Sequence, residues 1–433
     1  MNAIILSIGD ELVLGQTIDT NSAWLSQQLA QVGCAVLSHM TVGDEQRAIE
    51  EAIREASQRC DVLLVSGGIG PTADDLTRQA LAAVMGAELE LHADWVAQLH
   101  DFFQKRGRTM PEMNRIQAMI PRGAKLIWNH NGTAAGIHAS LQTAKRQRPT
   151  AVFVMPGVPR EMKAMFTRDV LPFIQQAGNG GVILSRTLHT FGLGESSIGE
   201  MLGDLMRRDR NPSVGTTVSG GIVSLRLNAR FPSREQAQAE LARIEEECRR
   251  SLGDLIFGSD QQTLAEAVAG LLMQHPLAQR WAPAVCTAES CTGGLLAGYL
   301  TSVPGSSAYF RQGWVTYRNE AKIRELDVSP RTLECHGAVS EQTVCEMARG
   351  AARRSGAPFA LAISGIAGPG GGTPTKPVGT VCIGLSQPGD GDELKVSART
   401  FNLVGDRELI RDRACKTALT MLRFALMGKP LPF

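Results

Sequence analysis

The chain predicts an α/β protein in three parts: an N-terminal domain on a parallel sheet, a small α+β middle module and a C-terminal α/β domain. Three observations carry this expectation. Short, wholly apolar runs alternate with amphipathic stretches near both ends, as in parallel sheets covered by helices on both faces. The stretch between them reads differently, with a polar–apolar alternation along one strand and a long charged helix. And 433 residues, 43% of them hydrophobic, suffice for two or three domains of ~100–200 residues, each with its own core.

The first domain is expected over 1–172. AIILSIG opens it as a buried strand, and TNSAWLSQQLAQVG has helical spacing and stops at Gly33. AVLSHMTVG is strand-like, and DEQRAIEEAIREASQRC is an amphipathic helix with Asp44 as its expected N-cap. DVLLVSGG and AVFVMPG are apolar strands running into glycine. Ligands of such sheets sit beyond the carboxyl ends of the strands, and GDEL, GGIGPTADD and PGVP all fall there. A boundary is expected in PFIQQAGNGG. The middle module, 181–257, reads as strand LSRTLHTFG, helix ESSIGEML, strand IVSLRLNARF and helix REQAQAELARIEEECRRSLG, without evident chemistry; FGSDQQ is its linker. The last domain, 262–433, opens with helix QTLAEAVAGLLMQH, strand PAVCTAES and helix GGLLAGYLTSV. Strands YFRQGWVTY, FALAISGIAG and PVGTVCIGLS follow, and helix DRELIRDRACKTALTMLRFAL closes the chain.

Composition narrows the function. Forty-four basic residues against 43 acidic ones leave no electrostatic footprint for nucleic acid. Nine scattered cysteines, an odd number with no CxxC pair, fit a reduced compartment better than a disulfide framework. MNAIILSIGDELVLG is charged too early for a signal peptide, and no apolar run approaches the ~20 residues that span a bilayer. A soluble cytoplasmic protein with no membrane partner is expected.

Chemistry concentrates in two places. TAESCTGGLLAG puts Ser290 and Cys291 between a strand and a helix, before Gly293 and Gly294. Free N–H groups at such a turn can stabilise an oxyanion, and glycine lets a ligand approach the backbone. The same residues also suit an ordinary helix cap. Either Ser290 or Cys291 can be the nucleophile, the thiol through a lowered pKa at a helix start. His336 in ECHGAVS and Lys322 in YRNEAK are both open as its base, the lysine only if its pKa is brought down. ISGIAGPGGGTPTKPVGTV is either a ligand-wrapping loop or a surface loop. In the N-terminal domain, Asp10, Asp44 and Asp74–Asp75 stand at three strand ends, which combine into a candidate phosphate-and-metal site or act singly as helix starters.

These motifs resemble a known family. AESCTGG, GSSAYF, GWVTYRNEAK, HGAVSE, SGIAGPGGG…KPVGTV and GDR come in the order of the CinA C-terminal domain, itself similar to the stand-alone nicotinamide-nucleotide amidase PncC. GDELVLGQTIDTNSAWL, GGIGPTADDLTR and MPGVPREMKAMF resemble the molybdopterin-binding fold of MogA and MoaB, and still more the CinA N-terminal domain; NPSVGTT also fits CinA architecture. The resemblance implies that the C-terminal domain hydrolyses the carboxamide of nicotinamide mononucleotide, with Ser290 as nucleophile, Lys322 as base and Tyr317 relaying a proton or orienting the lysine. N–H groups of Thr292, Gly293 and Gly294 would hold the oxyanion, and Ser306, Ser307, Arg407 and Arg411 are candidates for the phosphate and ribose. No cofactor is implied for this head. For the N-terminal head the resemblance implies a metal-dependent ADP-ribose pyrophosphatase. Gly67, Gly68, Gly70, Thr72, Pro156 and Gly157 would hold the nucleotide, and Asp10, Asp44 and Asp75 a divalent ion. A homodimer acting on small nucleotides, without direct nucleic-acid binding, is the implied assembly. Two alternatives stand beside this reading. Only the amidase is active and the N-terminal domain senses nucleotides or assembles the protein, or the chain is a non-enzymatic partner in competence or DNA-damage response.

Overall fold

The computed structural model describes residues 1–177, 181–274, 284–389 and 393–433. It has two compact units, Met1–Ser185 with Asn228–Ala242, and Arg186–Leu227 with Arg243–Phe433.

The N-terminal sheet has six strands in the order Ala35–Val42, Asn2–Ile8, Val62–Ser66, Thr150–Met155, Gly136–Leu141, Lys125–Ile127. The first four are parallel; the last two run antiparallel. Side chains of a strand alternate between faces. Accordingly Ile4, Leu6 and Ile8 enter a core with Ile49 and Ile53 of helix Gln46–Ser57 and Leu81 of helix Thr77–Met85. Ala3 and Ile5 face the opposite core with Leu25 and Leu29 of helix Thr20–Gln31 and Met162 of helix Pro159–Met165. The parallel strands all end on one side, where Gly9, Gly67 and Gly157 begin the loops of the candidate cleft. Asp44 does not cap the Gln46–Ser57 helix. The N-cap is Glu45, without a side-chain bond, because the Asp44 carboxylate accepts instead from the Asp10 N–H. Helix Leu171–Ala177 occupies most of the expected boundary; 178–180 lie outside the described residues.

A four-stranded sheet follows, in the order Ser213–Ser219, Ile222–Phe231, Val182–Phe191, Ile256–Ser259. Its last strand takes up half of FGSDQQ and pairs antiparallel with Val182–Phe191, so this stretch is sheet before it is linker. The long charged stretch forms the helix Arg234–Leu252.

The C-terminal sheet runs Phe310–Val315, Val285–Glu289, Phe359–Gly365, Thr380–Pro388, Leu394–Asn402, the first three parallel and the last two antiparallel. Residues 366–379 hold no helix, and a loop without a crossover helix returns the chain antiparallel. One face packs on helix Glu341–Ser355 through Val344, Met347 and Ala351. The other carries helices Leu264–Gln274, Leu295–Thr301 and Arg407–Leu426, with Val268, Leu296 and Leu419 against Val285, Leu361 and Ile363.

Candidate active site

Strand Val285–Glu289 is wholly buried and delivers Glu289 and Ser290 to the end of the sheet. The Ser290 N–H donates to the Ile363 carbonyl at 2.9 Å, which fixes the serine to the neighbouring strand. The chain then reverses through Gly293 and Gly294, with φ of 61° and 93°, a left-handed conformation that favours glycine. Helix Leu295–Thr301 follows.

Glu289, fully buried, fills the start of that helix. Its carboxylate accepts from the N–H groups of Gly294 at 3.0 Å, Leu296 at 3.0 Å and Ala297 at 2.8 Å. The Gly293 N–H donates to the Ser290 carbonyl at 3.1 Å. This corrects the expectation that Thr292, Gly293 and Gly294 together present N–H groups to an oxyanion. A buried carboxylate must be satisfied, and it takes the Gly294 N–H and two more from the helix's first turn. Of the expected three, the Gly293 and Gly294 N–H groups are therefore engaged within the turn itself.

Lys322 sits on helix Asn319–Leu326 and is 1% exposed. Its Nζ lies 3.2 Å from Ser290 Oγ, 2.9 Å from the Thr316 carbonyl and 3.3 Å from the Tyr317 carbonyl. Burial pushes its pKa below the ordinary lysine range, against weaker opposing effects of Cys291 and Glu320. As an ammonium, Nζ donates to all three oxygens; in its neutral form the two carbonyls can keep its two hydrogens while the lone pair faces the Ser290 hydroxyl.

The competing residues are placed otherwise. Cys291 is 6% exposed within the core, and burial pushes its thiol up to about 11, away from the thiolate. His336 is exposed at the end of helix Pro330–His336, where its carbonyl accepts from Lys376 Nζ at 2.9 Å. A second bond from Lys376 to the Val339 carbonyl ties down the glycine-rich loop. Tyr317 is exposed; its carbonyl, not its hydroxyl, touches Lys322, and the hydroxyl accepts from Arg407 at 3.1 Å. Arg407 also donates to the Gly368 carbonyl at 2.7 Å, and Arg411 to the Thr292 carbonyl at 2.7 Å. Both arginines line a cavity of about 670 Å³ beside Leu295 and Tyr299. Ser306 and Ser307 lie in a short turn, Ser306–Ala308, and among the described residues no side-chain hydrogen bond joins them to the Ser290 turn.

The N-terminal cleft has a volume of about 440 Å³ and is lined by Gly67, Gly68, Gly70, Pro156 and Gly157. Five carboxylates, Glu11, Asp44, Asp74, Asp75 and Glu161, line it too, and among the described residues no lysine or arginine does. Thr72 acts through the loop, its N–H and hydroxyl donating to Asp75. The three predicted metal ligands do not form one ligand set. Asp10 and Asp44 each accept the other's backbone N–H, at 3.1 and 2.9 Å, and both Asp75 oxygens brace the loop from Gly70 to Thr72. Among the described residues, no three His, Cys, Asp or Glu side chains are grouped to hold a metal ion. The acids do sense one another: burial raises the Asp44 pKa, the Asp10 N–H opposes this, and the charges of Asp10, Glu11 and Asp74 reinforce it. Two supports were not foreseen in the sequence. Buried Arg78 donates to the Ile69 and Gly70 carbonyls. Asn21 donates to Ser66 Oγ and to the Gly157 carbonyl, joining two loops of the cleft.

Residues 4–176 match the family described as probable molybdopterin binding domain, 185–258 the damage-inducible protein CinA KH domain, and 262–426 the CinA C-terminal domain. A putative competence-damage inducible protein of Symbiobacterium thermophilum is 43% identical over 99% of both chains. A CinA-like protein of Dictyoglomus thermophilum is 40% identical over 99% of this chain and 100% of its own. The crystal structure of competence/damage inducible protein CihA from Agrobacterium tumefaciens is 43% identical, covers 37% of this chain and 95% of that one, and has a TM-score of 0.32. Full-length relatives at this identity establish that the chain belongs to the CinA family of competence/damage-inducible proteins.

Proposed function

We propose that the C-terminal domain is a serine amidohydrolase that converts nicotinamide mononucleotide to nicotinate mononucleotide and ammonia. One observation carries the reading: a buried lysine amine, its hydrogens held by two main-chain carbonyls, lies 3.2 Å from Ser290 Oγ. Lys322 takes the serine proton as Oγ attacks the carboxamide carbon. The Thr292 N–H holds the resulting oxyanion. Collapse expels ammonia, which receives the proton from Lys322, and leaves an acyl-enzyme. Lys322 then deprotonates a water that attacks the acyl carbon, and Ser290 regains its proton. Arg407 and Arg411 supply positive charge for the phosphate, and Tyr317 aligns Arg407 through its hydroxyl. The choice of nicotinamide mononucleotide among amides rests on the motif resemblance. Ser290→Ala abolishes ammonia release and Cys291→Ala retains most of it; the reverse result overturns the assignment.

A second reading concerns the N-terminal cleft, which we read as a nucleotide site with ADP-ribose pyrophosphatase activity. Its five carboxylates without a lining cation favour it. A pyrophosphate enters such a cleft only with a divalent ion, which neutralises it. Metal-dependent formation of AMP from ADP-ribose, lost in Asp75→Ala, tests this; no AMP with any divalent ion leaves the domain a binding module. We place the protein in the cytoplasm, as a homodimer without direct nucleic-acid contact. Its net charge is +1, and the segment matched as a KH domain contains no G-x-x-G, the loop with which such domains clamp a backbone. Among the described residues no helix is long and apolar enough to cross a membrane.

A further inference from the structure

A second cavity, of about 520 Å³, lies within the unit that carries Ser290 and shares Tyr299 with the cavity of Arg407 and Arg411. Neither Ser290 nor Lys322, Arg407 or Arg411 reaches it. Ile222, Phe257, Leu264 and Leu419 form its apolar walls, while the polar residues 260–263 and Ser302 line it from exposed positions. His189 lies nearly parallel to Phe257, at 21° and 5.8 Å between centroids. Both His189 ring nitrogens are engaged, Nδ1 with Ser224 Oγ and Nε2 with the Asp260 carbonyl, so the ring offers the cavity a flat surface rather than a hydrogen bond. A volume of this size, with apolar walls and polar side chains set among them, is that of a small-molecule site.

Besides His189, the half-buried polar side chains of the lining are Lys416 and Tyr299, and they define the ligand. Lys416 Nζ donates to Asp412 at 2.7 Å and to the Gly220 carbonyl at 3.0 Å, leaving one of its three hydrogens for a ligand acceptor. The Tyr299 hydroxyl donates to the other Asp412 oxygen, leaving its own oxygen to accept from a ligand donor. Lys416 and Tyr299 both line the cavity. One acceptor beside one donor is the pattern of a primary amide. Charge points the same way. Lys416 is already neutralised by Asp412, and Asp260 by Arg186, so a carboxylate would bring an uncompensated charge into an apolar space and offer Tyr299 no hydrogen.

We propose that this cavity binds a neutral, planar aromatic carboxamide, its ring against Phe257 and His189 and its amide between Lys416 and Tyr299. The proposal does not depend on the amidase. Benzamide titrated into the full-length protein, followed by calorimetry, binds saturably, and benzoate binds about tenfold more weakly or less. Lys416→Met weakens benzamide by about tenfold. Leu419→Trp fills the cavity and abolishes binding. Gln262→Trp, at an exposed position of the lining, does the same without touching the core. The inference is overturned by no saturable benzamide binding to the wild type, by benzoate binding as tightly as benzamide, or by benzamide binding that survives both tryptophan variants.

Discussion

Glu289→Gln separates what holds the nucleophile turn from what reacts there. The carboxylate accepts three backbone N–H groups in a fully buried site, Gly294 and Leu296 on one oxygen and Ala297 on the other. Glutamine keeps one acceptor oxygen and replaces the other by an NH₂ that faces N–H donors. At least one buried N–H is therefore orphaned, at ~1–3 kcal/mol, and charge assistance is lost from the bonds that remain. The expected loss of stability is about 2–4 kcal/mol, below the ~5–15 kcal/mol of a typical domain, so the variant folds. Catalysis falls further than folding. The residue after Glu289 is the nucleophile, and a shift of the turn by a fraction of an ångström is expected to lower kcat by about 10–100-fold with KM nearly constant. Urea denaturation gives the first number, and steady-state ammonia release from nicotinamide mononucleotide the second. A variant less stable by this amount but with wild-type kcat would refute the positioning argument and leave Glu289 as fold support only. An inactive wild type would instead refute the amidase reading.

Other outcomes follow from the same geometry. Because burial depresses the Lys322 pKa, the neutral base accumulates at a pH below the ordinary lysine range, and kcat/KM should rise through that depressed value; Lys322→Met should lose nearly all activity. The sign for folding is the same: the unfolded chain binds the proton more readily, so stability rises with pH between the depressed and the ordinary pKa, and this slope disappears in Lys322→Met by denaturation at several pH values. Tyr317→Phe should raise KM through the loss of a partner for Arg407 while leaving the rising limb of the pH profile in place, whereas a displaced limb would restore Tyr317 as a proton relay. Gly68→Ala puts a methyl 2.1 Å from Thr77 Oγ1 at a φ of +64°, and should destabilise the N-terminal domain by about 1–3 kcal/mol in denaturant without affecting ammonia release.

Much of this arrangement is legible in the chain. Apolar runs broken by glycine locate the strand ends, and the candidate residues cluster there because parallel strands share a direction. What escapes is whatever depends on a distant partner. Nothing near YRNEAK says that its lysine is buried against Ser290; the sheet and helix Asn319–Leu326 bring them together. Nothing in the sequence singles out Glu289, since carboxylates are seldom fully buried; its burial is explained by its three N–H partners. Asp44 fits every local rule for a helix cap, yet a closer competitor, the Asp10 N–H, occupies it. The antiparallel strands escape because an apolar run carries no direction of its own.

Lys322 is oriented by the carbonyls of Thr316 and Tyr317, which belong to the main chain. No exchange of side chains at 316 or 317 can delete these acceptors, so the chemistry of the base tolerates drift in residue type at both positions. It does not tolerate drift in length. One residue inserted within the helix Asn319–Leu326, ahead of Lys322, would turn the lysine by about 100° around the helix axis and carry its amine away from both carbonyls. Across related chains the spacing from these carbonyls to the lysine should therefore stay fixed, and any constraint on residue type at 317 comes from Arg407 rather than from the base.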